Sequence, residues 1–178
     1  MLSRLHALDL RIDGWVERIR SPRLDPVFYG LSSAADHGLL WLLVGAGRAA
    51  RRGDPGVALR MGVVLGVESA LTNGPIKAMF RRVRPEDDAP SDDPLPYGMH
   101  RPITSSFPSG HAVSGFTAAT LLAGGPGTPL WFALATAVAV SRVYTRMHHT
   151  SDILAGAALG VALGAVARRL VPLSTEVA

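Results

Sequence analysis

The chain has 178 residues, within the size of one domain, and is 48% hydrophobic and only 18% charged, a composition ordinary for a small membrane protein. Its net charge of +4, carried almost wholly by arginine, suits nucleic acid, anionic lipid or a phosphorylated substrate; the basic residues lie between apolar segments and form no stripe with interleaved aromatics, which disfavours nucleic acid. Cysteine is absent, so thiolate metal sites are excluded.

Residues 4–20 set Leu5, Leu8, Ile12, Trp15, Val16 and Ile19 at helical spacing, with Arg and Asp on the other face. This predicts an amphipathic helix within 1–26, lying in the membrane interface with Trp15 as an anchor; a packed surface helix is the plainer alternative. Charges every few residues from Met1 to Arg23 leave no apolar core of a cleavable signal peptide.

Five apolar stretches follow, roughly 27–47, 57–76, 109–123, 129–147 and 151–171, none with 18 uninterrupted apolar residues. Asp36, His37, Glu68, Asn73 and Lys77 interrupt the first two, and such groups normally face a bundle interior or a polar cavity. Residues 153–167 carry no polar stripe, so that helix is buried in protein or lipid. Gly156, Gly160 and Gly164 recur every fourth residue, as Gly62 and Gly66 do, and this spacing lets another helix approach closely. The connection 85–108 holds six prolines and the acids Glu86, Asp87, Asp88, Asp92 and Asp93. It cannot continue a helix, and it reads either as a solvated loop or as a rim over a site, because motif residues stand at both ends.

Three short stretches fit together as one phosphate-handling site. Alternating the five spans across a bilayer brings all three to one face. In the first, Lys77 and Arg84 are seven residues apart, about two helical turns, a spacing that allows both on one face of a helix end; Pro85 restricts Arg84 away from helical geometry and marks the exit. Arginine suits forked recognition of phosphate oxygens. Arg81 and Arg82 read equally well as headgroup anchors. In the second, Pro108-Ser109-Gly110-His111 opens an apolar helix. Ser109 suits the N-cap, and Gly110 lets a phosphate approach backbone N–H groups where the helix dipole favours an anion. The third is Ser141-Arg142 followed by His148 and Asp152. The last two are four residues apart, so the carboxylate can hold one imidazole nitrogen and leave the other to attack. His149 reads as a rim residue. His6, His37 and His100 have no comparable partners.

These residues resemble the three-motif signature of the type 2 phosphatidic acid phosphatase superfamily: Lys-x6-Arg-Pro, Pro-Ser-Gly-His, and Ser-Arg-x5-His-x3-Asp. The match spans 77–152. The resemblance implies a phosphohistidine on His148 oriented by Asp152, and His111 as the acid that protonates the leaving group. It also implies a phosphate cradle of Lys77, Arg84, Arg142, Ser109 and the Gly110 amide, with no metal or other cofactor. The cradle is shared with vanadate-dependent haloperoxidases, which are soluble and much larger. The segment Val143–His149 departs from the family pattern: Arg146 and His149 add positive charge at the rim.

The expectation is therefore an all-α, integral-membrane helical bundle forming a single domain over 1–178, with about five transmembrane helices and an interfacial N-terminal helix. Its partners would be the bilayer and a lipid phosphate, its localisation a multi-pass cell-membrane protein. Candidate substrates are polyprenyl phosphate or diphosphate, phosphatidic acid and phosphatidylglycerol phosphate. The alternatives are a lipid phosphotransferase using the same site and a non-catalytic phospholipid-binding protein. Arg48, Arg51, Arg52, Arg60, Arg168 and Arg169 fall opposite the site, which turns the site extracytoplasmic once the flat N-terminal helix is discounted.

Overall fold

The computed structural model describes residues 2–85, 97 and 104–173, with side chains from residue 4. Most of the 85–108 connection, His100 included, lies outside the described residues, apart from its two ends and Tyr97, whose ring centroid is 4.9 Å from that of Tyr29. The described residues form helices and turns only. In chain order these are α1 (Leu2–Ile19), α2 (Asp25–Ala34), α3 (Leu39–Arg52), α4 (Pro55–Leu71), α5 (Gly110–Leu122), α6 (Thr128–Tyr144) and α7 (Thr150–Leu170).

The first apolar stretch is not one straight helix. Ala35 ends α2, a short turn at Asp36–Gly38 follows, and α3 leaves at 55°. His37 and Gly38 both have positive φ (54° and 74°), a conformation that stops a right-handed helix. Asp54 starts α4 by accepting the Gly56 amide at 2.8 Å, with Pro55 in the first turn, where its missing N–H costs nothing. At its other end, Thr72-Asn-Gly-Pro-Ile76 widens into a π-type turn with Gly74 outside helical geometry. Among the described helices, α7 alone is long and apolar enough to span a bilayer, and the bent pair α2–α3 qualifies as a second crossing. The rest are shorter than the ~20 residues a crossing needs, because glycine, proline and the site motifs cut them at the site end.

Helix α5 is the centre. It packs most extensively on α7, then on α6. The glycine seam makes the first contact close: a Cβ on Gly156 would lie 2.7 Å from the Ser109 carbonyl oxygen, and one on Gly164 would lie 2.6 Å from Thr120 Cβ. Trp41, Met61, Leu65, Ala118, Leu122 and Val138 fill one core cluster; Val16, Tyr29, Ala112, Val143, Tyr144 and Ile153 fill another. Beside these clusters some polar groups are buried and many large apolar side chains are exposed. Glu68 is buried, accepting from Thr72 Oγ1 (2.9 Å) and Ser114 Oγ (2.6 Å), whereas Leu59 is 70% exposed and Leu154 65%. A surface of that kind suits lipid rather than water.

Helix α1 presents Leu5, Leu8, Trp15 and Ile19 outward and packs only Ile12 and Val16 against the core. The expected amphipathic helix is therefore present, with its broad apolar face directed away from the protein, as interfacial insertion requires.

Candidate active site

A cavity of about 950 Å³ opens where the turn after α2, the end of α4, the start of α5 and the end of α6 converge. Six of the eight sequence-selected residues line it: Lys77, Arg84, Gly110, His111, Arg142 and His148. Ser109 and Asp152 are fully buried beside it.

Arg84 lies past the helix end, as Pro85 requires, and so does not share the helix face that its spacing from Lys77 allowed. The helix ends after Ala78, and Pro85 keeps Arg84 out of helical geometry. Residues 82–84 instead run alongside 105–106: the Ser106 amide donates to the Arg82 carbonyl (3.0 Å), and the Arg82 amide donates to Ser105 Oγ (3.1 Å). The guanidinium is pinned by the carbonyls of Met147 (2.6 Å) and Thr104 (3.1 Å). Arg142 donates to Ser32 Oγ from the last turn of α6. Gly110 begins α5 and faces Lys77: a Cβ there would lie 3.4 Å from Asn73 Oδ1 and 3.9 Å from Lys77 Nζ, so glycine keeps that space open. Ser109 takes the N-cap position, but its hydroxyl makes no cap bond and has no partner among the described residues.

His148 is held by a tight turn: its amide and that of Met147 both donate to the Arg142 carbonyl. Its Nδ1 is 3.7 Å from Asp152 Oδ2, a near approach longer than a hydrogen bond, and its Nε2 lies 3.5 Å from Arg84. Burial, joined by the charges of Arg142 and Arg84, holds His148 below the ordinary imidazole value against the opposing pull of Asp152. The ring is neutral at pH 7, which leaves a lone pair for attack.

Several participants escaped the sequence reading. Asp36, flagged only as an ionisable group in an apolar stretch, lies 2.9 Å from His111 Nε2 and lines the cavity. Arg82, read as a possible headgroup anchor, instead contacts Asp152 Oδ1 at 2.6 Å. His149 is no rim residue. It is buried, its Nδ1 lies 2.7 Å from Asp13, and its amide donates to Asp152 Oδ2 at 2.9 Å. Burial lowers its affinity for a proton, but Asp13 outweighs this and raises His149 above the ordinary imidazole value. The available signal was the run Asp9, Asp13, Glu17, an acid every fourth residue along α1.

The family model described as PAP2 superfamily matches residues 57–176. The chain belongs to the PAP2 superfamily. It is 34% identical over 140 residues to decaprenylphosphoryl-5-phosphoribose phosphatase from Mycobacterium tuberculosis, covering 77% of this chain and 75% of that protein. Its fold is similar to the transmembrane PAP2-type phosphatidylglycerolphosphate phosphatase from Bacillus subtilis (TM-score 0.76, 25% identity, 98% of this chain and 90% of that one). It is also similar to LpxE from Aquifex aeolicus (TM-score 0.72, 25% identity, 91% of this chain and 95% of that one). This PAP2 chain is thus an all-helical membrane protein and a phosphatase.

Proposed function

We propose that this PAP2 phosphatase removes a terminal phosphate from a membrane lipid, with His148 as nucleophile and His111 as general acid. The observation that carries the reading is the lining of the ~950 Å³ cavity, which joins Lys77, Arg84, Arg142, His111 and His148 with the small and apolar residues Leu42, Gly62, Leu65 and Gly66. A charged phosphate and the start of an apolar chain fit it together. A polyprenyl phosphate or diphosphate is the favoured substrate, because the mycobacterial relative is named for a decaprenyl-linked one. Phosphatidic acid and phosphatidylglycerol phosphate are the other candidates.

In the proposed reaction Lys77, Arg84 and Arg142 neutralise the phosphate oxygens, and the start of α5 adds the Gly110 amide and its dipole. His148 Nε2 attacks phosphorus, the bond from phosphorus to the lipid oxygen breaks, and that oxygen takes a proton from His111. Water then attacks the phosphohistidine, giving a proton to His111 and releasing inorganic phosphate. Asp152 stabilises the charge that develops on His148. The required positive charge is supplied by side chains, so turnover should survive a chelator, and vanadate should inhibit.

The chain is proposed to be multi-pass, as a single domain, with α2–α3 as one bent crossing and α4 to α7 as four more. The arginines at the α3–α4 turn and at the end of α7 would face the cytoplasm, and the site would face outward. Arg168 supports this arrangement by capping the far end of α5 through the Thr120 carbonyl (3.4 Å).

The test is phosphate release from a lipid-phosphate panel by purified protein in detergent. His148→Ala should abolish turnover and any acid-labile phosphoenzyme. His111→Ala should lose about 10²–10⁴-fold on lipid substrates. It should lose much less on a nitrophenyl phosphate, whose leaving group needs no proton. An equal, substrate-independent loss in two variants with normal melts would overturn these roles. Turnover only with an added lipid acceptor would make the chain a phosphotransferase instead.

A further inference from the structure

Helix α1 does more than present an apolar face outward. Its other face carries Asp9, Asp13 and Glu17 at i, i+4 and i+8, and each engages the segment 146–151 that flanks His148. Asp9 accepts from the Ser151 amide (2.9 Å) and hydroxyl (2.6 Å). Asp13 meets His149 at 2.7 Å, and Glu17 meets Arg146 at 3.3 Å. The two residues that depart from the family pattern, Arg146 and His149, are therefore both taken up by α1.

The Asp9 contact continues into the site. One arm of Arg82, NH2, lies 2.6 Å from Asp9 Oδ2, and the other, NH1, lies 2.6 Å from Asp152 Oδ1 and 2.6 Å from Ser151 Oγ. One guanidinium thus bridges two buried carboxylates, and the second sits behind the histidine. Burial opposes the charge on Asp9, but Ser151 and Arg82 outweigh it and hold Asp9 below the ordinary carboxylate value.

We infer that Asp9 and Arg82 are positioning residues for Asp152, so that α1 forms part of the active site. A carboxylate bound through one oxygen only can turn about its last bond. With Oδ1 fixed by Arg82 and Oδ2 by the His149 amide, the plane of Asp152 is set and Oδ2 is aimed at His148. Asp9 in turn holds the second arm of the Arg82 fork, whose side chain is a quarter exposed. The inference rests on the reading of Asp152 as the carboxylate behind the attacking histidine.

The experiment compares Arg82→Gln, Arg82→Lys, Asp9→Asn and Asp152→Asn in the full chain, together with the double variant Arg82→Gln/Asp152→Asn. Turnover of phosphatidic acid and of a nitrophenyl phosphate is measured with thermal melts. Arg82→Gln should lower kcat about tenfold or more with KM nearly unchanged. Arg82→Lys, which keeps charge but loses the fork, should recover part of that, and Asp9→Asn should lose less than Arg82→Gln. On the Asp152→Asn background, Arg82→Gln should cost little more, because its effect passes through that carboxylate. Independent, multiplying losses in the double variant, or a change in KM alone, would overturn the inference. If Arg82→Gln does not fold, Arg82→Lys and Asp9→Asn decide by the same kcat-against-KM split. A disabled Asp152→Asn beside fully active Arg82 and Asp9 variants would overturn this inference alone; a fully active Asp152→Asn would overturn the site reading with it.

Discussion

Replacing Gly160 by alanine tests how the site is built. Gly160 lies at the middle of the α5–α7 seam. A Cβ there would come 2.9 Å from Phe116 Cβ and 3.0 Å from the Thr117 nitrogen, and would press on the Val113 carbonyl oxygen. Carbon contacts settle near 3.5–4.0 Å, so the helices must part by roughly 1 Å to admit the methyl. Overpacking of that order costs about 1–3 kcal/mol. Alanine returns up to about 1 kcal/mol through its better helix propensity, leaving a net loss of about 1 kcal/mol. For a chain of this size that lowers a reversible melting midpoint by about 3 °C. Gly47→Ala is the control: nothing lies within 4 Å of a Cβ there, so the propensity gain stands alone and the midpoint should rise. Gly156→Ala carries the argument into function. Its methyl would meet the Ser109 carbonyl oxygen at 2.7 Å, next to the bond by which the Ser109 amide donates to the Asp152 carbonyl (3.1 Å). A displacement near 1 Å at that point should reduce kcat by about tenfold to a hundredfold, beyond anything its stability loss explains. The assay is a detergent melt paired with phosphate release. A Gly160→Ala protein that melts higher than the parent, as Gly47→Ala should, would refute the seam.

Ser109→Ala should leave the melt unchanged, because the hydroxyl has no partner among the described residues to lose, and should cut kcat/KM about tenfold or more through a missing bond to the charged phosphate. An unaltered kcat/KM would remove Ser109 from the cradle. Asp36→Asn should slow lipid substrates more than a nitrophenyl phosphate, since Asp36 holds the histidine that serves the leaving group; equal slowing on both would assign Asp36 to structure. The Asp13–His149 pair has a definite pH sign. His149 is raised in the folded chain, so the pair's stabilisation is complete below the ordinary imidazole value, about 6.5, and is lost as pH rises through the raised value. The melting difference between parent and Asp13→Asn should thus be largest near about pH 6 and shrink toward about pH 9, and a pH-independent difference would refute it.

The clustering of the candidate site was legible because its residues sit in fixed local spacings. Pro108 to His111 opens a helix, and His148 and Asp152 flank the start of another, so short-range geometry decides where they point. The glycine spacing in α7 was legible for the same reason. What could not be read locally depends on distant packing. Hydropathy averages over Ala35–Gly38, so the bend between α2 and α3 passed as one continuous stretch, and the partnership of Asp36 with His111, 75 residues apart, was hidden with it. Pro85 marked Arg84 as leaving the helix, but the pairing of 82–84 with 105–106 that holds it depends on residues more than 20 positions away. Arg82 and His149 were misread because their partners sit on α1, whose orientation a helical wheel does not give. The wheel found the apolar face, but not that the opposite face would carry buried carboxylates.

The hydrogen bond from the Ser109 amide to the Asp152 carbonyl has a mechanical consequence. It fastens the start of α5 to the start of α7, over a seam too tight to slide. The opposite wall of the cavity has a different character: the bent turn at 36–38 and the π-type turn at 72–76 interrupt its helices. The chamber therefore has one wall braced by close helix packing and one wall interrupted by turns. In the proposed reaction the shape of the headgroup would be read by the interrupted wall, while the packed one keeps the start of α5 in register with His148. Substitutions that broaden or narrow the range of accepted lipids belong at His37, Gly38 and the turn at 72–76, and not at Asp36, which holds His111.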